Sequence, residues 1–306
     1  MGTNKHTLKL YWEQVRKYKL SFFIMLIFIP IASLLIDTLL PFFLSQAIGQ
    51  LAVNNQAAVT TSLLVAAAIG VAGAIINYIG FQAMTHHESK VRTTLADATF
   101  EKIINKDFGF FINTKVGALT SRFIDFIRSE TTLQDLLIIR TLGFILSVIV
   151  GLALLMFASW PVALFIAVVI VILLLEVKWS IKKRSPWRHE RKTLVGKIHG
   201  QVADAVTNNL IVKTFAGEQT EIQSLQKMNN RMAHIYKKDI GFLATEGSAR
   251  MALMIAIQIS AIAIAAYLVM HGQLKIEGAI FTLAYLQRIA SQLFVLGEIL
   301  NGYDQA

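Results

Sequence analysis

In this 306-residue chain, Asp37 and Arg288 stand where charge is most costly, inside the apolar runs IASLLIDTLLPFF and IFTLAYLQRIASQLF. An ionisable side chain at the centre of a membrane helix costs at least about 2.5–3.5 kcal/mol, so each needs a function or a partner to account for it. Two kinds of chemistry fit. The residues can face a water-filled passage, singly or as a pair, and contact polar parts of a cargo. Alternatively they form a structural ion pair between helices, or Arg288 snorkels to the interface. Glu298 lies nearer the end of its run and reads as hydrated. His86 and His87 are adjacent, hence on different faces of a helix, which argues against a metal site. The absence of cysteine excludes disulfides and thiolate ligands. Nothing places a Ser/His/Asp set or a carboxylate pair together. No G-x-x-x-x-G-K-[ST] stretch occurs to cradle nucleotide phosphates, so nucleotide hydrolysis by this chain alone is not expected.

Two further stretches carry chemistry of a different kind, DFGFFINTKVGALTSR at 107–122 and ADAVTNNLIVKTFAGE at 203–218. Both are too polar to cross a bilayer, yet each presents apolar side chains: Phe110, Phe111 and Leu119 in the first, Leu210, Ile211 and Phe215 in the second. In the first, Gly109 and Asn113 are expected to end one helix, with a new one capped by Asn113 or Thr114. In the second, Asn208 and Asn209 interrupt the helix and Gly217 closes a short element. Apolar residues at a protruding turn suit a partner surface; the alternative is that they pack on neighbouring helices of the same chain.

The elements that must hold these residues follow from composition. With 55% hydrophobic residues and only 16% charged, the chain is too apolar for a soluble domain, which carries roughly 25% charge. The apolar residues gather in six runs near 20–48, 58–83, 134–158, 161–179, 247–271 and 276–300, each long enough to cross about 30 Å of hydrocarbon as a helix. Met84, Val91, Leu95, Ala98 and Ile103, and likewise Ile222, Leu225, Met228, Met232 and Ile235, continue helical spacing beyond the spans. A single helix from about 56 to 107 would be ~75 Å long. Pro30 and Pro41 are expected to kink or loosen the first span. The net charge of +10 is sorted by loop rather than arranged as a nucleic-acid face. Lys and Arg crowd the amino-terminal tail and the loops 90–128 and 178–238, which places both termini and both long loops in the cytoplasm and suits contact with anionic lipid. Residues 7–18, TLKLYWEQVRKY, read as an interfacial amphipathic helix, with Tyr11 and Trp12 as belt residues.

On these residues the whole chain resembles the transmembrane domain of a six-helix ABC exporter of the MsbA-like, type IV kind. Its first turn is similar to the family's paired Phe followed by Gly-x-Leu-x-Ser-Arg and Asp, here Phe110, Phe111, Gly117, Leu119, Ser121, Arg122 and Asp125. Its second matches at Asp204, Val212, Lys213, Phe215, Glu218 and Glu221, with Asn209 where an aliphatic residue is usual. TLAYLQRIASQLFVLGEI resembles the family's span six, with Gln292 replacing the common Pro before Leu293. The resemblance implies an all-α integral membrane domain, residues 1–306, of a bacterial inner (plasma) membrane. Its spans would extend as long intracellular helices ending in two short coupling helices, which dock on nucleotide-binding domains through Phe110, Phe111, Asn113, Gly117, Leu119, Ser121, Arg122, Asn209, Leu210, Lys213, Phe215 and Glu218. It implies ATP and Mg on a nucleotide-binding domain that this sequence lacks, supplied after span six of a longer chain or by another subunit; the closing NGYDQA, similar to the helix leading into that domain, favours excision. It also implies a second transmembrane subunit completing the pathway, and an amphipathic, lipid-like or peptide cargo. A transporter driven by an ion gradient, or a channel, is the rival expectation; short loops and several intramembrane acids would mark it. A membrane scaffold that only binds a cytoplasmic partner is a third.

Overall fold

The computed structural model describes residues 2–112 and 116–289, and all regular structure among them is helical. Helix α1 spans Gly2–Val15 and passes through a 3₁₀ turn, Arg16–Tyr18, into α2, Lys19–Leu34. A π-helical turn, Leu35–Leu39, joins α2 to α3, Leu40–Ala52. Then follow α4, Gln56–Ile104; α5, Phe108–Ile112; α6, Val116–Asp135; a second π-helical turn, Leu136–Leu142; and α7, Gly143–Ala158. The chain continues with α8, Trp160–Thr207; α9, Asn209–Thr214; α10, Glu218–Met270; and α11 over 276–289. Among the described residues, five stretches are long and apolar enough to cross a membrane: Thr7–Ala52, Gln56–Ile104, Arg122–Ala158, Trp160–Thr207 and Glu218–Met270. Helix α11 opens a sixth apolar run, whose remainder lies outside the described residues. With 49 residues, α4 is ~75 Å long at 1.5 Å per residue.

Two compact units divide the chain, Met1–Val169 with Gln258–Ala306, and Ile170–Ile257. In the first, α4 packs antiparallel on α2 and α3 through small residues. Ala66, Gly73, Gly80 and His87 are buried at seven-residue intervals, which keeps them on one face. Bulky residues of the first span meet them at the same interval. A Cβ on Gly80 would lie 2.8 Å from Ile29 Cγ1, one on Gly73 2.8 Å from Ile36 Cγ1, and the Phe22 ring centroid is 5.6 Å from that of His87. Without a side chain at 73 and 80 the backbones approach closely enough for dispersion contacts to hold the helices where no hydrophobic drive exists in lipid. Helix α11 packs on α7 in the same manner: a Cβ on Gly151 would collide with the Tyr285 ring. The Tyr285 hydroxyl donates to the Val148 carbonyl at 3.0 Å.

The first π turn has a local cause. Pro41 has no N–H to give to the carbonyl four residues back, and its ring crowds that carbonyl, which belongs to Asp37. The helix widens instead, and the Leu40 N–H reaches back five residues to Leu35. In the second unit, α8 and α10 form a hairpin with α9 at its turn, and Leu173, Val177, Leu194, Ile235 and Met254 are buried.

Candidate functional site

At the first turn, α4 ends at Ile104, where the Asn105 N–H still bonds to Glu101 and the Lys106 N–H to Ile103. The break therefore falls at 105–107. Gly109, expected to terminate a helix, lies instead inside α5, because the chain has already turned at Asn105–Asp107 and the Phe110 N–H bonds back to Asp107. Phe108 is exposed, while the half-buried Phe110 and Phe111 lie edge to face with centroids 5.4 Å apart. Asn113 lies outside the described residues. Gly117 and Ser121 fall in the first turns of α6. Leu119 is half-buried and Arg122 exposed.

The second turn lies between α8 and α10. Asn208 precedes α9 with its side chain donating back to the Asp204 carbonyl at 3.0 Å rather than to the new helix, and Asn209 is the first residue of α9. Leu210 and Phe215 are each 80% exposed and Ile211 is 57% exposed, so this apolar face is not covered by neighbouring helices among the described residues. The helix closes with Gly217 N–H on the Val212 carbonyl at 2.8 Å and Ala216 N–H on that of Lys213 at 3.2 Å. The left-handed residue of this closure is Ala216, at φ 52, rather than the glycine beside it. Lys213 Nζ donates to Glu218 at 2.8 Å; this hydrogen bond holds the Glu218 carboxyl below its usual range.

The structure brings the two intramembrane charges together. Arg288 pairs with Asp37 Oδ2, which also accepts from Ser33 Oγ at 2.7 Å. The Asp37 side chain is 19% exposed and that of Arg288 37%. The first π turn carries Asp37. The second π turn is followed by Gly143, whose missing Cβ would lie 3.2 Å from Ser33 Oγ.

Two buried networks have no counterpart in the sequence reading. In the second unit, Asp239 is fully buried between Arg184, at 2.8 Å, and Arg191, at 3.0 Å. Nearby, Arg250 forks onto Glu176 at 2.9 and 3.0 Å and pairs with Glu246, which accepts from Ser180. The contacts of Arg184 and Arg191 with Asp239, of Glu176 with Arg250 and of Ser180 with Glu246 fasten α8 to α10. The clue available in the sequence was the four- and seven-residue spacing of Glu176, Ser180, Arg184 and Arg191, matched by Asp239, Glu246 and Arg250, which puts each set on one helical face.

The other network joins α1, α2, α4 and α6. Tyr11 is buried beside Leu95 and Ile127 and donates to the Phe126 carbonyl at 2.7 Å, while Trp12 stays exposed. Burial, with Glu130 nearby, pushes the Tyr11 hydroxyl up to about 12. His87 is fully buried, in contrast to the exposed His86. The Ser21 hydroxyl donates to the Tyr18 carbonyl, so it accepts from His87 Nδ1 at 3.0 Å, and burial lowers the imidazole to about 4. Burial raises Glu130 to about 7 against the hydrogen bond from Gln134, and raises Glu88 to about 7 with help from Asp135 beside it. A carboxyl raised in this way holds its proton more tightly folded than unfolded. Its effect on stability is therefore a loss that begins near pH 4.5 and is complete above about 7. His87 acts oppositely, favouring the fold increasingly from about 4 to 6.5. The neutral variant Glu130→Gln should accordingly melt higher than wild type at about pH 8 and alike at about pH 4.5. Thermal unfolding in one detergent checks this, and an equal or lower melting point at about pH 8 would count against a protonated Glu130.

Comparison with known proteins places this arrangement in a family. Residues 23–293 match the family described as the ABC transporter transmembrane region. A solved structure described as a bacterial Atm1-family ABC exporter with ATP bound has the same fold, at a TM-score of 0.74 and 17% identity, over 95% of this chain and 51% of that one. The ABC-type oligopeptide transporters ABCB9 of Mus musculus and Rattus norvegicus are each 20% identical over 303 residues, 94% of this chain. The match spans only 38% of their length. Long helices leading from apolar spans to an exposed apolar turn thus occur in a chain that belongs to the ABC transporter transmembrane region family and has the fold of an ABC exporter's membrane domain.

Proposed function

We propose that this chain is the membrane-spanning half of an ATP-driven exporter, which pairs with a second such subunit to enclose a pathway for an amphipathic, lipid-like or peptide cargo. Nucleotide-binding domains, on the same chain or another, bind ATP and Mg and dock on α5 and α9. Closure of those domains then moves the long helices as rigid levers and opens the pathway alternately to the two sides. The exposure of Leu210, Ile211 and Phe215 at the α9 turn carries this reading, because a solvated apolar tip on a stiff helix suits a docking piece. Loop charge supports termini and turns on the cytoplasmic side of a plasma membrane, the bacterial inner membrane on the resemblance. Within the pathway, Asp37 and Arg288 contact polar groups of the cargo. The name of the matched oligopeptide transporters favours a peptide among the cargo classes. The test is uptake by inside-out proteoliposomes of the complete transporter, with a panel of labelled peptides and lipids. ATP with Mg should drive accumulation of at least one, and an imposed Na⁺ or H⁺ gradient alone should drive none. Accumulation on a gradient without ATP would replace this reading with the ion-coupled one.

A further inference from the structure

A cavity of about 250 Å³ lies between α1, α4 and α6. Its walls are apolar, formed by Leu10, Leu95, Phe123 and Phe126, and Lys102 and Arg122 line it as well. Among the described residues, no carboxylate lines it. Neither cation has an ion-pair partner among the described residues. Gln14, also in the lining, accepts from Lys17 Nζ at 2.7 Å, which holds a third positive charge near the site. An apolar chamber edged by unneutralised cations has the complement of one ligand type, a hydrocarbon with an anionic end. Its volume lies just below the roughly 300–1,000 Å³ of pockets for drug-sized ligands, which suits one hydrocarbon tail rather than the two of a phospholipid.

We infer that this cavity binds a single-chain lipid with an anionic headgroup, its tail between α1, α4 and α6 and its headgroup on Lys102 and Arg122. Lys102 and Arg122 are exposed at the edge of the cavity, where an anionic headgroup can reach both, while the apolar walls take the methylenes of the tail out of water. The tail and the headgroup therefore contribute together, and neither suffices alone. The occupant fastens α1 to the end of α4 that leads into the α5 turn. This inference concerns the cavity itself and does not depend on how transport is driven.

The experiment is photolabelling of the full chain in neutral phosphatidylcholine nanodiscs with dodecanoic acid bearing a terminal diazirine, followed by peptide mapping. Label is expected on 95–103 and 123–126. Excess dodecanoate or dodecyl phosphate should displace it about tenfold, whereas dodecyl maltoside or inorganic phosphate should not. Ala98→Phe, which fills the cavity, and Lys102→Glu with Arg122→Glu, which reverses its charge, should each lower labelling about tenfold. Lys102→Arg with Arg122→Lys should retain it. Equal thermal unfolding of the variants separates loss of the site from loss of the fold, and a variant that fails to fold leaves the competition arm to decide. Displacement by dodecyl maltoside as strong as by dodecanoate, displacement by inorganic phosphate, or labelling unchanged in both folded loss variants would overturn the proposal.

Discussion

Replacing Leu210 and Phe215 with aspartate should abolish transport by the complete transporter while leaving its membrane domain folded. Both side chains are 80% exposed, so a charge at either position stays in water when the domain stands alone and costs the fold little. On docking, the same charge would be buried without a partner, at a cost on the order of 3–5 kcal/mol. At 1.4 kcal/mol per tenfold, that corresponds to at least about a hundredfold loss of productive contact. Phe111→Asp, at the half-buried pair of the first turn, should uncouple similarly but also lower stability, because Phe111 packs on Phe110. The measurement is cargo-stimulated ATPase activity beside cargo uptake. Full stimulation in the α9 variant would remove the docking role from this turn.

The second large effect is expected at Asp37 and Arg288. Breaking a fully buried ion pair from one side costs about 3–5 kcal/mol, since a charge is stranded. Arg288 is 37% exposed and Asp37 also keeps Ser33, so roughly half of that is expected for Asp37→Asn or Arg288→Gln. The double variant should be less destabilised than the sum of the singles by about 1 kcal/mol or more, the range of directly interacting residues. Thermal unfolding of the four proteins in one detergent measures the coupling, and a panel of labelled cargoes tests the pathway role proposed for the pair. Additive losses would mean that the contact contributes nothing. Strong coupling with an unchanged cargo profile would make the pair a brace only, and the cargo contacts would have to lie on other residues.

What was legible in the sequence and what was not divide along a physical line. Helix type follows from local spacing, so the apolar runs and the helical continuation through Met84, Val91 and Leu95 could be read directly. The apolar character of Leu210, Ile211 and Phe215 was equally plain, though their exposure was not. Asp37 and Arg288 could be recognised as costly. Their pairing across 251 positions depends on how α2, α7 and α11 pack, which no short-range pattern encodes. The same holds for Asp239 between two arginines and for the buried His87. The π turn had a visible cause in Pro41, but a proline can be met by a kink, a break or a widened turn, and tertiary packing selects among them. At the first turn the presence of Gly109 was misleading: Asn105 and Lys106 turn the chain earlier, through hydrogen bonds that any residue with an N–H can make.

The matched seven-residue spacing of Phe22, Ile29 and Ile36 against His87, Gly80 and Gly73 has a mechanical corollary. A straight α-helix falls about 20° short of closing each seven-residue repeat, so two helices that keep such a seam wind left-handedly around each other. Wound rods behave as a screw and nut: one advances along the other only by turning. At a pitch of about 150 Å, a slide of about 5 Å along α4 would rotate the first span by about 12°. Axial travel of α4 would thereby be delivered to Asp37 as torque, and a transporter built this way would reorient that charge without a separate hinge.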